Sequence, residues 1–130
     1  MKSTLTLLFF NCFLLAFSQT QADLNKDAYN SFQKADKELN TIYQKILVEY
    51  KSDSVFIKNF KASQRIWITF RDAELKVKFP EREPGYYGSI QPMCVSYYME
   101  QLTKERIETL KVWLDGIEEG DGCIGSVKTK

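Results

Sequence analysis

Residues 28–46, AYNSFQKADKELNTIYQKI, carry the apolar pattern that decides the fold. Their apolar positions alternate spacings of four and three, which places them on one face of an α-helix. The positions are Ala28, Phe32, Ala35, Leu39, Ile42 and Ile46, and the stripe is widened by Tyr43, Leu47 and Tyr50. The sequence therefore predicts a long amphipathic helix that packs its apolar face against other helices.

A second stripe with helical spacing follows a short polar turn. Ser52-Asp53-Ser54 offers side-chain oxygens for a turn and for a helix N-cap. The stripe then comprises Phe56, Phe60, Ser63, Trp67, Phe70 and Val77. It ends near Lys78, because Phe79 precedes Pro80 and the residue before a proline disfavours the helical conformation. Two long helices joined by a short turn predict an antiparallel hairpin.

The N-terminal 22 residues have the layout of a secretory signal peptide. A basic Lys2 precedes an apolar run from Leu5 to Phe17, which is shorter than the roughly 20 residues that span a bilayer. Small residues allow cleavage after Ser18 or after Ala22. We predict an exported protein, periplasmic or secreted, with no membrane anchor after cleavage and one helical domain over residues 23–130.

The positions of the cysteines predict how many helices follow Pro80. Two cysteines of an exported domain, Cys94 and Cys123, predict a disulfide. One straight helix from Cys94 to about Glu118 would be roughly 36 Å long, and the remaining chain would recover only about 17 Å. The roughly 5.5 Å between Cα atoms that a disulfide requires would then be out of reach. We therefore expect Thr103 to cap a fourth helix that returns Cys123 to Cys94.

These patterns together predict an all-α fold, a small antiparallel helical bundle. Two long helices come first and two shorter ones follow. One disulfide would join the Gly-rich tail, Gly120-Asp121-Gly122-Cys123, to the third helix.

Charge and residue usage exclude several classes of function. The chain has 18 basic and 17 acidic residues, and loss of residues 1–22 would remove only Lys2, which leaves a neutral domain. Nucleic acids and anionic membranes are bound by clustered Lys and Arg, so neither is an expected partner. Histidine, the commonest general base and a frequent metal ligand, does not occur in the sequence. We expect no cofactor, no metal site and no catalytic residues, and an enzyme is the least favoured reading.

Polar side chains interrupt the predicted apolar faces of the first two helices. Across the hairpin they would meet as a partly buried network of Asp36, Asn40, Gln64, Trp67, Arg71 and Asp72. A satisfied buried network fixes the register of a bundle, so a structural role is favoured over a ligand site. An exposed Trp67 would instead indicate a platform for carbohydrate.

Several segments together resemble a known protein family. They are Ala35-Asp36-Lys37-Glu38-Leu39-Asn40 with Tyr43, Gln64-Arg65-Ile66-Trp67 with Phe70-Arg71-Asp72, Gly88-Ser89-Ile90, and Leu102-Thr103-Lys104-Glu105-Arg106 with Leu110. From about Ala28 to Leu114 the chain resembles the LprI-like lysozyme-inhibitor domain family of small exported bacterial proteins. The resemblance implies a binding protein whose partner is a lysozyme or another cell-wall hydrolase.

The loop from Pro80 to Gly88 is the candidate binding segment for such a partner. Tyr and Arg are common at interface hot spots, and the loop also offers acidic side chains for basic residues of an enzyme. The candidate residues are Glu81, Arg82, Glu83, Tyr86 and Tyr87. Exposed tyrosines would favour a binding protein. Tyrosines turned inward would favour the alternative, a non-inhibitory structural or stress-response module that binds another envelope component.

Overall fold

The computed structural model describes residues 19–130, which form three helices: α1 (Gln21–Glu49), α2 (Ser54–Lys78) and α3 (Gln91–Asp115). Residues 1–18, which include most of the predicted signal peptide, lie outside the described residues. Cleavage after Ala22 would fall inside α1, whereas cleavage after Ser18 would precede its capping residue, Thr20. None of the described helices is long and apolar enough to cross a membrane.

Side-chain oxygens start the first two helices, as the sequence predicts for α2. The Thr20 hydroxyl accepts from the Asp23 backbone N–H at 3.2 Å, and the Asp23 carboxylate accepts from the Thr20 N–H at 3.1 Å. This reciprocal pair is a capping box. Asp53 caps α2 by accepting from the Phe56 N–H at 2.9 Å.

The helices run up, down and up, so α1 and α3 are parallel and α2 is antiparallel to both. At one end of the bundle the Asn25 amide donates to the Ser89 carbonyl at 3.1 Å. At the other end the Tyr50 hydroxyl donates to the Trp113 carbonyl at 2.9 Å. The pairing of α1 with α3 is the most extensive helix contact in the fold, and α2 packs less closely on either of them.

The buried core lies where the three helices meet, and α1 and α3 supply most of it. Its members are Leu39, Ile42 and Ile46 of α1, Phe60 of α2, and Ile107 and Leu110 of α3. Aromatic side chains cover the end of the core that is nearest the α1–α2 turn. Tyr50 stacks on Phe56 with ring centroids 4.4 Å apart, and Tyr43 stacks on Phe60 with centroids 5.0 Å apart. The apolar stripe predicted on α1 is thus its buried face.

The stripe predicted on α2 is only partly buried. Phe60 lies in the core, but Phe70 and Val77 are exposed, at 51% and 74%. The side of α2 that faces α1 and α3 carries Gln64, which is 7% exposed, and the half-buried Arg71. Polar contacts to α1 and α3 therefore set the rotation of this helix, and several of its apolar side chains face outwards.

The prediction of four helices is wrong, because α3 is unbroken from Gln91 to Asp115. Thr103 is fully buried in the middle of α3, on the same face as Met99, Ile107 and Leu110. Its β-branched side chain takes the place of an apolar residue in this stripe, so it does not act as an N-cap. No turn occurs at Leu102-Thr103.

The predicted disulfide is also wrong: Cys94 and Cys123 are both free thiols. Cys94 lies in the first turn of α3, and the unbroken helix carries the chain about 32 Å away from it by Asp115. The tail stays at that far end. The Ile117 N–H donates to the Lys128 carbonyl at 3.0 Å, and the Lys130 N–H donates to the Ile117 carbonyl at 3.0 Å.

Substitution Thr103→Val tests whether α3 is continuous. The Thr103 hydroxyl is buried and makes no hydrogen bond with any described residue. Replacing it with a methyl group of similar volume should therefore raise the free energy of unfolding, by about 1 kcal/mol. Urea unfolding measures this change. A loss of about 1 kcal/mol would instead be the result for an N-cap threonine and would contradict the unbroken helix.

Substitution Glu100→Gln tests how the ionised Glu100 carboxylate contributes to stability. Glu100 accepts from Lys104 and from the Ser31 hydroxyl, and these partners lower the pKa of its carboxyl from the ordinary value. A lowered folded pKa adds stability above the unfolded pKa of about 4.3, and this stability disappears as pH falls through the folded pKa. The variant should be less stable than the parent chain at pH 7, and the difference should shrink at pH 3.

The same substitution at the exposed Glu119 is the matched control and should change stability little at either pH. A Glu100→Gln difference that stays constant between pH 7 and pH 3 would show that the carboxylate charge adds no stability.

Candidate functional site

The loop between α2 and α3 is held by two tight turns. The Tyr86 N–H donates to the Glu83 carbonyl, and the Gly88 N–H donates to the Gly85 carbonyl, both at 3.0 Å. Gly85 and Gly88 have φ values of +82° and +72°, a left-handed conformation that glycine adopts at low cost. These hydrogen bonds and φ angles restrict the loop backbone.

The two tyrosines of this loop have different surroundings. Tyr87 is half-buried; its hydroxyl donates to the Pro80 carbonyl at 2.8 Å, and its ring meets the Phe79 ring edge-on with centroids 5.6 Å apart. Tyr86 is 67% exposed and rests edge-on against Tyr87 at 4.9 Å. Tyr87 thus anchors the loop to the end of α2, and Tyr86 projects from it.

The charged residues of the loop all face solvent. The Arg82 guanidinium lies 6.0 Å from the centroid of the Tyr86 ring. Glu81, Arg82 and Glu83 are exposed, and among the described residues none of them forms an ion pair. The loop therefore presents an aromatic ring, a cation and two carboxylates on a braced backbone.

A polar network lies between the helices at mid-bundle, and it contains part of the predicted set. Arg71 of α2 contacts Asp36 of α1 at 3.4 Å and Asp72 at 3.1 Å. Its guanidinium lies 5.3 Å from the centroid of the half-buried Trp67 indole. These contacts join α1 to α2 and cover part of the indole. The structural role of Trp67 stays a prediction.

Gln64 belongs to a different part of this network, and its partner is a residue that the sequence analysis missed. The buried Gln64 accepts from Arg106 Nε of α3 at 3.1 Å. Arg106 also donates to the Ser63 hydroxyl at 3.2 Å, and its guanidinium lies 5.8 Å from the Trp67 centroid. Burial lowers the pKa of Arg106. The sequence signal for this residue was an arginine next to Ile107 on the buried face of α3.

Asn40, the remaining member of the predicted network, forms no side-chain hydrogen bond with the other members among the described residues. It is exposed and lines an open groove of about 1020 Å³ beside α1, near the C-terminal end of α3. Lysine, glutamine and glutamate side chains make up much of the groove wall. Within residues 19–130, no three His, Cys, Asp or Glu side chains are placed to hold a metal ion.

The chain is similar in sequence to one known protein family and to a bacterial relative. A family model described as "Lysozyme inhibitor LprI" matches residues 16–110, which include α1, α2 and most of α3. An uncharacterized protein of Rhizobium meliloti (strain 1021) is 29% identical over 110 residues, which cover 76% of this chain and 77% of that protein. No solved structure matches. Because the family match covers most of the sequence, the chain belongs to the LprI lysozyme inhibitor family.

Proposed function

We propose that this protein is exported to the periplasm or the medium and inhibits a lysozyme or a related cell-wall hydrolase. Membership of the LprI family supports the class of partner. The observation that carries the choice of binding surface is the exposed Tyr86 on a braced loop. We infer that this loop, residues 80–88, docks on the enzyme.

The loop is shaped before it meets a partner. Two turn hydrogen bonds, the Tyr87 anchor on Pro80 and the ring of Pro84 all restrict its backbone. A segment that is already ordered loses less conformational entropy on binding, so more of its contact energy appears as affinity. Such preorganisation suits a segment that must occupy an enzyme cleft.

The side chains of the loop suit the chemistry of a glycosidase. Most glycosidases carry a pair of Asp or Glu residues beside the scissile bond, so a cation such as Arg82 has acceptors there. Tyr86 offers a large, stiff ring that can bury apolar area at the centre of the interface. Glu81 and Glu83 would pair with basic residues at the rim, where charges govern the rate of association more than affinity.

An alternative function is favoured by the outer face of α2. Ile66, Phe70 and Val77 lie at helical spacing on one side of this helix, and each is more than half exposed. Apolar side chains grouped on a surface often mark contacts with other proteins. A non-inhibitory module that binds another envelope component would use this face and would leave the loop free.

Lysozyme activity on cell-wall substrate, titrated with the purified chain, distinguishes these functions. Tyr86→Ala should raise the inhibition constant about tenfold or more, because a hot-spot tyrosine contributes upwards of about 1.4 kcal/mol. Tyr97→Ala is the matched control, since Tyr97 is 51% exposed but lies on α3. Tyr87→Phe removes only the anchor to Pro80 and should weaken inhibition by a smaller factor.

Thermal unfolding of each variant shows that the fold is kept. If Tyr86→Ala and Tyr97→Ala inhibit as well as the parent chain, the docking surface is not the loop. If the parent chain inhibits no lysozyme type at micromolar concentration, the inhibitor function is wrong. The outer face of α2 then becomes the surface to test.

A further inference from the structure

A cleft of about 400 Å³ lies at the opposite end of the bundle from the loop. Its walls come from the N-terminal half of α2, the C-terminal half of α3 and the tail after α3. This volume is within the roughly 300–1,000 Å³ typical of sites for small molecules. The cleft shares no lining residue with the loop at residues 80–88.

The cleft has an aromatic floor that is held in place. Phe56 stacks on Phe60 with centroids 5.4 Å apart, and Trp113 lies 6.5 Å from Phe56. The Trp113 indole donates to the Ser126 hydroxyl of the tail at 3.1 Å. The Trp113 carbonyl accepts from Tyr50, whose oxygen also accepts from the Lys128 N–H at 3.2 Å. An apolar body can therefore pack on rings that are already ordered.

Arg106 forms the polar wall of this cleft, and its charge is not balanced by a described residue. Its two hydrogen bonds go to the neutral side chains of Gln64 and Ser63. Arg71, the other arginine beside Trp67, contacts Asp36 and Asp72. A half-buried guanidinium with only neutral acceptors keeps both charge and donors for an incoming anion.

The opposite end of the cleft carries a carboxylate. Asp53 lies ten residues before Ser63, or about 15 Å along α2, and its carboxylate accepts from the Phe56 N–H as the helix cap. Charge therefore runs from positive at Arg106 to negative at Asp53. A ligand with one anionic group fits this gradient, whereas a second anionic group at the far end would be repelled.

We propose that this cleft binds a small amphipathic monoanion. The apolar or aromatic body lies on Phe56, Phe60 and Trp113, and a carboxylate or similar group pairs with the Arg106 guanidinium. This site is separate from the surface assigned to hydrolase binding and does not depend on it.

Two fluorescent probes of matched shape test the proposal on the full chain. 8-Anilinonaphthalene-1-sulfonate carries one sulfonate, and N-phenyl-1-naphthylamine is its neutral counterpart. Both should bind the parent chain. Arg106→Gln should weaken binding of the sulfonate about tenfold or more, because a charge-assisted pair is lost, and should leave the neutral probe nearly unchanged. Arg106→Lys should retain part of the affinity for the sulfonate.

Control variants separate the cleft from other surfaces. Arg65→Gln removes an exposed arginine of α2 and should have no effect on either probe. Asn59→Trp adds a ring at an exposed position on the cleft wall and should block both probes. A double variant, Ile66→Ser with Phe70→Ser, removes the apolar outer face of α2 and should leave binding intact. Tyr86→Ala should also leave it intact, whatever its effect on lysozyme inhibition.

Three results would overturn the proposal. They are absence of sulfonate binding to the parent chain, equal sulfonate affinity in Arg106→Gln and the parent, and loss of binding in the Ile66, Phe70 double variant. Thermal unfolding of Arg106→Gln checks that this variant is folded. If it is not folded, Asn59→Trp becomes the deciding variant. In that case, sulfonate binding that survives Asn59→Trp overturns the cleft assignment.

Discussion

The parallel packing of α1 on an unbroken α3 is the constraint on which the rest of the structure depends. Parallel helices cannot be joined by a short turn, so α2 must carry the chain back along the bundle. This path places the loop at residues 80–88 at one end. It places the α1–α2 turn, Trp113 and the tail at the other, where Tyr50 joins them. Two separate surfaces follow from this one packing choice.

The second helix is positioned by polar contacts as much as by its apolar residues. Arg71 reaches Asp36 on α1, and Gln64 receives Arg106 from α3. Both contacts satisfy side chains of α2 that packing removes from most of the solvent, since Gln64 is 7% exposed and the Arg71 side chain 13% exposed. With α2 in this orientation, Phe70 is exposed to solvent, and Arg106 lines the cleft beside Phe56, Phe60 and Trp113.

Sequence patterns predicted the helical class, the buried face of α1, an N-cap within Ser52-Asp53-Ser54 and the end of α2 near Lys78. The patterns gave a wrong prediction at Thr103, because the same residue type suits two different structural positions. Thr103 has the side chain of an N-cap, but its methyl group fits a buried stripe beside Ile107, and the packing of α3 on α1 decided between them. The disulfide prediction depended on that break. The loop residues were predicted from their types, and their role stays a prediction. Arg106 was missed because only the folded structure brings it to Gln64 and Ser63.

The distance between Cys94 and Cys123 tests the unbroken helix most directly. Both thiols are free and can carry nitroxide labels, with Cys12 replaced by serine so that only two sites react. Double electron–electron resonance should then give a separation of about 25–35 Å, since α3 lies between the two sites. A separation below about 15 Å, or a disulfide between the unlabelled cysteines, would show that the chain turns back within α3. The placement of the loop and the cleft at opposite ends of the bundle would then be wrong.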